Sequence, residues 1–124
     1  MTRFTELELA ALHSIFSETP ELASGLERQL AGATVIEREN SGAGFFTRIA
    51  VADEAPSLSS PKVLGHETHA RVAGLEHGLG FVLFMEHGRL HLLEGYANGL
   101  GNTTSLDLES LQFEIYRERP IRLP

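Results

Sequence analysis

The side chains in this sequence that could do chemistry are histidines and carboxylates. The 124 residues include six histidines and no cysteine, so thiol catalysis, disulfides and thiolate metal sites are excluded. His66 and His69 are three apart with Glu67 between them, a spacing that can bring two imidazoles to one metal from a turn or a helix. In a strand, however, such residues point to opposite faces, and the zinc-protease pattern needs a spacing of four on a helix. We therefore expect loop histidines and no metal site.

Glu94 is the carboxylate whose position is hardest to explain by solvation alone. In the hairpin predicted below it belongs to the apolar register, beside Tyr96, and an unpaired carboxylate is costly to bury. Arg48 or Arg71 on a neighbouring strand could supply a partner. One interpretation is a carboxylate that lines a functional pocket. The other is a structural hydrogen bond to a nearby turn, or exposure at the rim of the sheet.

His91 is the second candidate, because it is expected near Glu86 and Arg89. It could serve as a general base or a ligand, or it could pack across the strands against Phe84. No catalytic residue is assigned and no cofactor is expected. The candidate ligand-binding residues are Glu94, Tyr96, His91 and Arg48.

The other motifs indicate turns. Each of three glycine pairs lies in a predicted link between strands, so none matches a dinucleotide-binding fingerprint, which leads from a strand into a helix. The serines between Ser57 and Ser60 have no Gly-x-Ser-x-Gly elbow around them, which leaves a hydrolase triad unsupported.

The element that must position these residues is a hairpin over Gly80–Tyr96, the densest apolar block of the sequence. His87-Gly88 suits a type I′ turn, whose two central residues need positive φ. If the two strands beside this turn pair without a bulge, the residues that stand opposite each other are Glu86/Arg89 (as an ion pair), Met85/Leu90, Phe84/His91, Leu83/Leu92 and Phe81/Glu94. One face is expected to be apolar, with Glu94 and Tyr96 at its end, and to lie under helices: Phe81, Leu83, Met85, Leu90 and Leu92. The other is mixed: Val82, Phe84, Glu86, Arg89, His91 and Leu93.

Two helices are predicted before the strands. Thr5-Glu-Leu-Glu8 matches a capping box, and apolar residues at helical spacing follow, so the first helix is expected over Glu6–Ser17. Thr19-Pro20-Glu21 is a second start signal, and this helix is expected to end near Gly32.

The remaining segments alternate as strands do. Strands are expected at Thr34–Glu39, Phe45–Val51, Thr68–Leu75 and Leu111–Arg117, with Glu76-His77-Gly78 turning into the main hairpin. Asp53–Gly65 and Ala97–Ser105 are predicted loops. Parallel crossover connections would need helices between the strands, and the sequence predicts none there. We therefore predict a single α+β domain over residues 1–124, with two N-terminal helices packed on a mostly antiparallel sheet of about six strands.

Two segments resemble a set of small bacterial proteins of unknown function: Asn40-Ser-Gly-Ala-Gly-Phe-Phe-Thr47, and the hairpin that ends in Leu93-Glu-Gly-Tyr96. In those proteins a Gly-Phe-Phe-Thr strand precedes a hairpin that ends in Leu-Glu-Gly-Tyr. The resemblance covers about Val35–Tyr96. It implies a bacterial source and a small α+β fold, and it supplies no activity.

Composition narrows the function classes. A net charge of −7, with scattered arginines, argues against a nucleic-acid binder. No apolar run is long enough to span a membrane, and no signal-peptide pattern begins the sequence, so a cytoplasmic protein is expected. The first hypothesis is a non-enzymatic interaction or small-ligand-binding module, as a homodimer or with a protein partner, that uses the mixed face. The alternatives are an enzyme with carboxylate and histidine chemistry near Glu94, between the loops Asp53–Gly65 and Ala97–Ser105, and a toxin-neutralising immunity protein.

Overall fold

The computed structural model describes residues 3–118, and they form two layers, a pair of helices and one sheet. Both helices lie on the same side of the sheet, with α1 against β4, β5 and β7 and α2 against β6. Every strand pair is antiparallel. The predicted α+β class is confirmed. The strands are β1 Thr34–Asn40, β2 Gly44–Ala50, β3 Val63–Leu64, β4 Thr68–Val72, β5 Leu75–Glu86, β6 Arg89–Ala97 and β7 Phe113–Arg117.

The helices begin and end where local signals predict. Helix α1 spans Glu6–Ser17, and its capping box is complete: Glu8 N donates to Thr5 Oγ1 at 3.0 Å, and Thr5 N donates to Glu8 Oε1 at 2.8 Å. Helix α2 spans Pro20–Ala31 and is followed by Gly32 at its C-cap. None of the helices within residues 3–118 is long and apolar enough to cross a membrane.

The sheet has the strand order β1-β2-β6-β5-β4-β7, with the short β3 paired to β5 beyond the end of β4. Its helix-facing side forms the core together with Leu12, Ile15 and Phe16 of α1 and Leu26 of α2. The strand residues of this core alternate along each strand and include Phe45, Ile49, Ala70, Leu79, Phe81, Leu83, Leu90 and Leu93.

The turn at His87-Gly88 is confirmed, with φ of 52° and 73° at the two residues. Glu86 stands opposite Arg89 and Met85 opposite Leu90, as predicted. The register then shifts by one, because a β-bulge places His91 as an extra residue in β6.

The predicted register beyond Leu90 is therefore wrong. The observed pairs are Phe84/Leu92, Leu83/Leu93, Val82/Glu94, Phe81/Gly95 and Gly80/Tyr96. A shift of one residue moves every following side chain to the other side of the sheet. Leu93 thus lies in the core, fully buried. Leu92, Glu94 and Tyr96 lie on the side away from the helices, contrary to the prediction.

Three smaller predictions are also wrong. The link between β4 and β5 is Ala73-Gly74, and the predicted turn Glu76-His77-Gly78 instead forms the irregular start of β5. The loop Asp53–Gly65 contains β3. Arg89 stands opposite Glu86 but forms no ion pair with it, because its guanidinium donates to the carbonyl oxygens of Ala52 and Asp53 at 3.0 and 3.1 Å.

Candidate functional site

The side of the sheet away from the helices, called the open face below, is uncovered in residues 3–118. Strand pairing places neighbouring apolar side chains there: Val63 opposite Phe84, Phe84 opposite Leu92, and Val82 and Phe46 on either side of Glu94. These apolar side chains are half-buried by each other. The open face consists of Glu37, Glu39, Phe46, Arg48, Val63, Val82, Phe84, Leu92, Glu94 and Tyr96.

The charges of the open face are unbalanced. Glu39 stands opposite Phe46, and Glu37 opposite Arg48, so two carboxylates of β1 border the apolar patch. Glu94 adds a third carboxylate in its middle, between Phe46 and Val82. Arg48 is the one cation among the residues that define this face. The surface is therefore an apolar patch that carries a net negative charge.

Tyr96 lies over the backbone of Gly80. A Cβ at Gly80 would come within 2.3 Å of Tyr96 Cζ, so a glycine at this position makes room for the ring. Burial raises the pKa of the Tyr96 hydroxyl, and the neighbouring Glu94 carboxylate raises it further. Both causes disfavour the charged phenolate.

We expect Glu94→Gln to lower the pKa of Tyr96, because the neutral amide no longer opposes the phenolate. The pKa should stay above its ordinary value, since burial, the larger cause, is unchanged. Tyr96 and Tyr116 are the only two tyrosines in the sequence. The ultraviolet titration can therefore be made in a Tyr116→Phe background. Glu37→Gln is the control and should leave the titration unchanged, whereas an unchanged midpoint in Glu94→Gln would contradict the placement of Glu94.

Three of the four predicted site residues lie on the open face, and the four do not form one pocket. Glu94, Tyr96 and Arg48 point outward from β2 and β6, and His91 Nε2 lies 3.0 Å from Glu86 Oε2 at the hairpin end. In the part of the chain that the structure describes, no ion pair joins Glu94 to Arg48 or Arg71. Arg71 binds Glu114 instead, with 2.8 Å between Nη1 and Oε1.

A small cavity of about 210 Å³ lies on the open face, lined by Glu37, Glu39, Phe46, Arg48 and Leu92. Ligand pockets for drug-sized molecules are usually about 300–1,000 Å³. None of the four cavities described along residues 3–118 is lined by more than one of Glu94, Tyr96, His91 and Arg48. The open face is thus a surface rather than an enclosing site.

The largest of the four cavities, about 830 Å³, lies over β4 and is lined by His69, Arg71, Glu76, His77 and Tyr116, among others. His69 stacks on Tyr116 with 5.4 Å between ring centroids, and the Arg71 guanidinium carbon lies 4.4 Å from the Tyr116 centroid. His69 Nδ1 has no hydrogen-bond partner among residues 3–118, but it is buried and so is closed to a ligand. The Arg71 side chain is thus engaged by both Tyr116 and Glu114.

The pocket predicted between the two loops does not exist, because the loops lie at opposite ends of β6. Leu58 of the first loop donates through its backbone N–H to Gly88 O at 2.8 Å, at the hairpin turn. Asn98 of the second donates to Gly78 O at 2.9 Å, at the far end. A strand of this length separates its ends by roughly 25–30 Å. Among residues 3–118 no cluster of three or more histidine or acidic side chains could hold a metal ion.

Sequence reasoning missed the distant partners of two buried polar side chains, Glu8 and Gln29, which hold the layers together. Glu8 of α1 accepts from Arg38 of β1 through two contacts of 2.7 Å and from the Thr47 hydroxyl of β2. Gln29 of α2 donates to Gly88 O and accepts from Leu90 N, at 2.9 and 3.0 Å, which fixes the hairpin turn. Their partners are 30 or more residues away, so only the polarity of Glu8 and Gln29 within helical apolar patterns signalled them.

No family model, curated protein or solved structure matches the chain. The resemblance to small bacterial proteins stays a prediction, and the case for a function rests on the residues themselves.

Proposed function

We propose that this protein is a non-enzymatic interaction module that binds a protein partner through the open face. The observation that carries the proposal is the bulge at His91, which turns Leu92, Glu94 and Tyr96 out of the core and onto a continuous apolar and anionic surface. Contiguous apolar surface rimmed by polar residues is typical of protein interaction sites. Tyr96, at 37% exposure, adds an aromatic ring of the type enriched in interfaces.

Charge decides which partner suits this surface. A second copy docked face to face would bring the carboxylates of Glu37, Glu39 and Glu94 against the same groups, with Arg48 alone to offset them. Like charges brought together in an interface weaken the binding free energy by on the order of several kcal/mol. Such repulsion selects against a second copy as the partner of this face. A partner segment with apolar side chains flanked by lysine or arginine would be complementary. The toxin-neutralising interpretation is one case of this function, with a cationic toxin as the partner.

An enzyme is supported less well. Glu94 and His91 stand in no shared cavity within residues 3–118, and the His91–Glu86 pair lies on an exposed hairpin end with no nucleophile placed beside it by the described contacts. Small-ligand binding is limited by the size of the cavity on the open face. A protein surface needs no enclosing pocket, so it fits the geometry best.

The proposal is tested with two synthetic amphipathic helical peptides of equal length, one of leucine and lysine and one of leucine and glutamate, in a fluorescence anisotropy titration. We expect binding of the lysine peptide only, because its cations meet the carboxylates while its leucines cover the apolar patch. The variant Val82→Ser/Phe84→Ser should weaken this binding by about tenfold or more, as central apolar contacts do.

Two control variants separate the open face from general attraction to an acidic protein. Leu100→Ser removes a fully exposed leucine from a loop, and Glu21→Gln/Glu54→Gln removes two exposed carboxylates elsewhere. Both should keep the affinity within about twofold, whereas Glu37→Gln/Glu39→Gln should weaken it about tenfold. Equal losses in the two double carboxylate variants would overturn the proposal.

A further inference from the structure

The two edges of the sheet differ in how they are protected. At β1 the register shifts between Val35 and Glu37, which leaves Ile36 58% exposed, and three charged residues follow. Bulges and charges of this kind prevent an edge from pairing with another chain. At β7 all five residues pair with β4 in unbroken register, from Phe113 with Val72 to Arg117 with Thr68. The β7 edge is regular where the β1 edge is blocked.

The backbone groups that β7 presents can be identified from its ladder. Gln112 O accepts from Ala73 N at 3.2 Å, and Glu118 N donates to Glu67 O at 2.9 Å. Because antiparallel strands alternate, the even-numbered residues of β7 direct their N–H and C=O groups to β4. Phe113, Ile115 and Arg117 therefore direct theirs outward. Within residues 3–118 no strand pairs with this side of β7.

We propose that β7 pairs with β7 of a second copy, antiparallel and centred on Ile115, so that two sheets join into one. In this register Ile115 stands opposite itself, and Phe113 stands opposite Arg117 of the second copy. These three positions carry the outward N–H and C=O groups, so every one of them meets a complementary group. The inference is independent of the proposed partner of the open face, because it uses the edge of the sheet and leaves that face uncovered.

Side-chain chemistry favours a second copy as the occupant of this edge. Glu114 stands opposite Tyr116 of the second copy, and no charged residue of β7 meets a like charge directly across the axis. The β1 edge shows the contrast: pairing about Arg38 would set Arg38 against itself and Glu37 against Glu39. Like charges directly opposite destabilise a strand pair. Of the two edges, only β7 is self-complementary.

The absence of cysteine allows a crosslinking test on the full chain. Residues 114 and 116 would form non-hydrogen-bonded pairs, whose Cα atoms are about 4.5 Å apart, within the span of a disulfide. We expect Glu114→Cys/Tyr116→Cys, oxidised with glutathione, to give a covalent dimer in which peptide mapping finds 114 joined to 116. The matched control is Glu37→Cys/Glu39→Cys at the β1 edge, which should stay monomeric with free thiols.

If crosslinking results from strand pairing and not from chance collision of thiols, it must depend on the backbone N–H groups of β7. In the crosslinking variant, Ile115→Pro removes one outward N–H and no bond to β4, whereas Ile115→Ala trims the side chain and keeps that N–H. Dimer should be lost with proline and retained with alanine, with circular dichroism confirming the fold of both. A monomeric Glu114→Cys/Tyr116→Cys protein at millimolar concentration, or equal crosslinking in the β1 control, would overturn the inference.

Discussion

Glu8→Ala is expected to lower the free energy of unfolding by about 3–5 kcal/mol, because it removes the buried counter-charge of the Arg38 guanidinium and leaves it the exposed Glu109 carboxylate at 4.0 Å. Glu8 is fully buried, and the Arg38 side chain is 12% exposed. The hydrogen bonds to Glu8 are the largest cause that raises the pKa of Arg38. The free energy of unfolding of a small domain is about 5–15 kcal/mol in total, so this loss would be a large part of the stability. Urea unfolding followed by circular dichroism measures it.

A double variant shows whether the charges or the shape of this site matter. Glu8→Leu/Arg38→Met fills the space with apolar groups and leaves no buried charge, so it should recover most of the loss. About 1–2 kcal/mol should remain lost, since Thr5 N and the Thr47 hydroxyl also lose their acceptor. A cost below about 1 kcal/mol for Glu8→Ala would show that the pair contributes little.

Leu93→Ala is expected to lower the free energy of unfolding by about 2–5 kcal/mol, and Leu92→Ala by less than about 1 kcal/mol. The two residues are adjacent and chemically identical, but Leu93 is fully buried under the helices and Leu92 lies half-buried on the open face. The same alanine substitution therefore reports which of them faces the core. Each variant serves as the control for the other in denaturant unfolding. An unbroken hairpin register would reverse the order, with Leu92→Ala the more damaging.

The helices and the hairpin turn were predictable because their signals are local. The capping box of α1 needs only Thr5 and Glu8, and the turn needs only a glycine after His87. Amphipathic alternation likewise indicated the strands other than β3, and the lack of helices between them indicated antiparallel pairing. The signal weakens where two patterns compete: Leu92 and Leu93 are both leucine, so alternation alone does not say which one faces the core.

Packing and desolvation resolve that ambiguity. An unbroken register would turn Glu94 into the core, where a carboxylate without a partner is costly. The bulge turns Glu94 outward and brings Gly95 inward, against the ring of Phe45, where a Cβ would lie 2.4 Å from Cε1. Only the glycine fits there. The clues were present in Glu94 and Gly95, but reading them required the position of Phe45 on a neighbouring strand.

The buried polar groups could not be predicted for a related reason. Glu8 meets Arg38 and Thr47, and Thr103 Oγ1 meets Asn40 Oδ1 at 2.7 Å, only after the strands have paired. Sequence spacing carries no information on such contacts. The same pairing places Arg48, Glu94 and Tyr96 on one surface, with Glu94 and Tyr96 on the side opposite the one expected and His91 in the bulge.

The central claim is that a protein partner binds the open face that the His91 bulge creates. The most direct measurement is a titration of ¹⁵N- and methyl-labelled protein with the leucine–lysine peptide, followed by NMR chemical shifts. We expect the largest changes at Val82, Phe84, Leu92 and Glu94, with Leu93 and the helices nearly unchanged. Changes centred on α1 and α2, or none at all at saturating peptide, would contradict the claim.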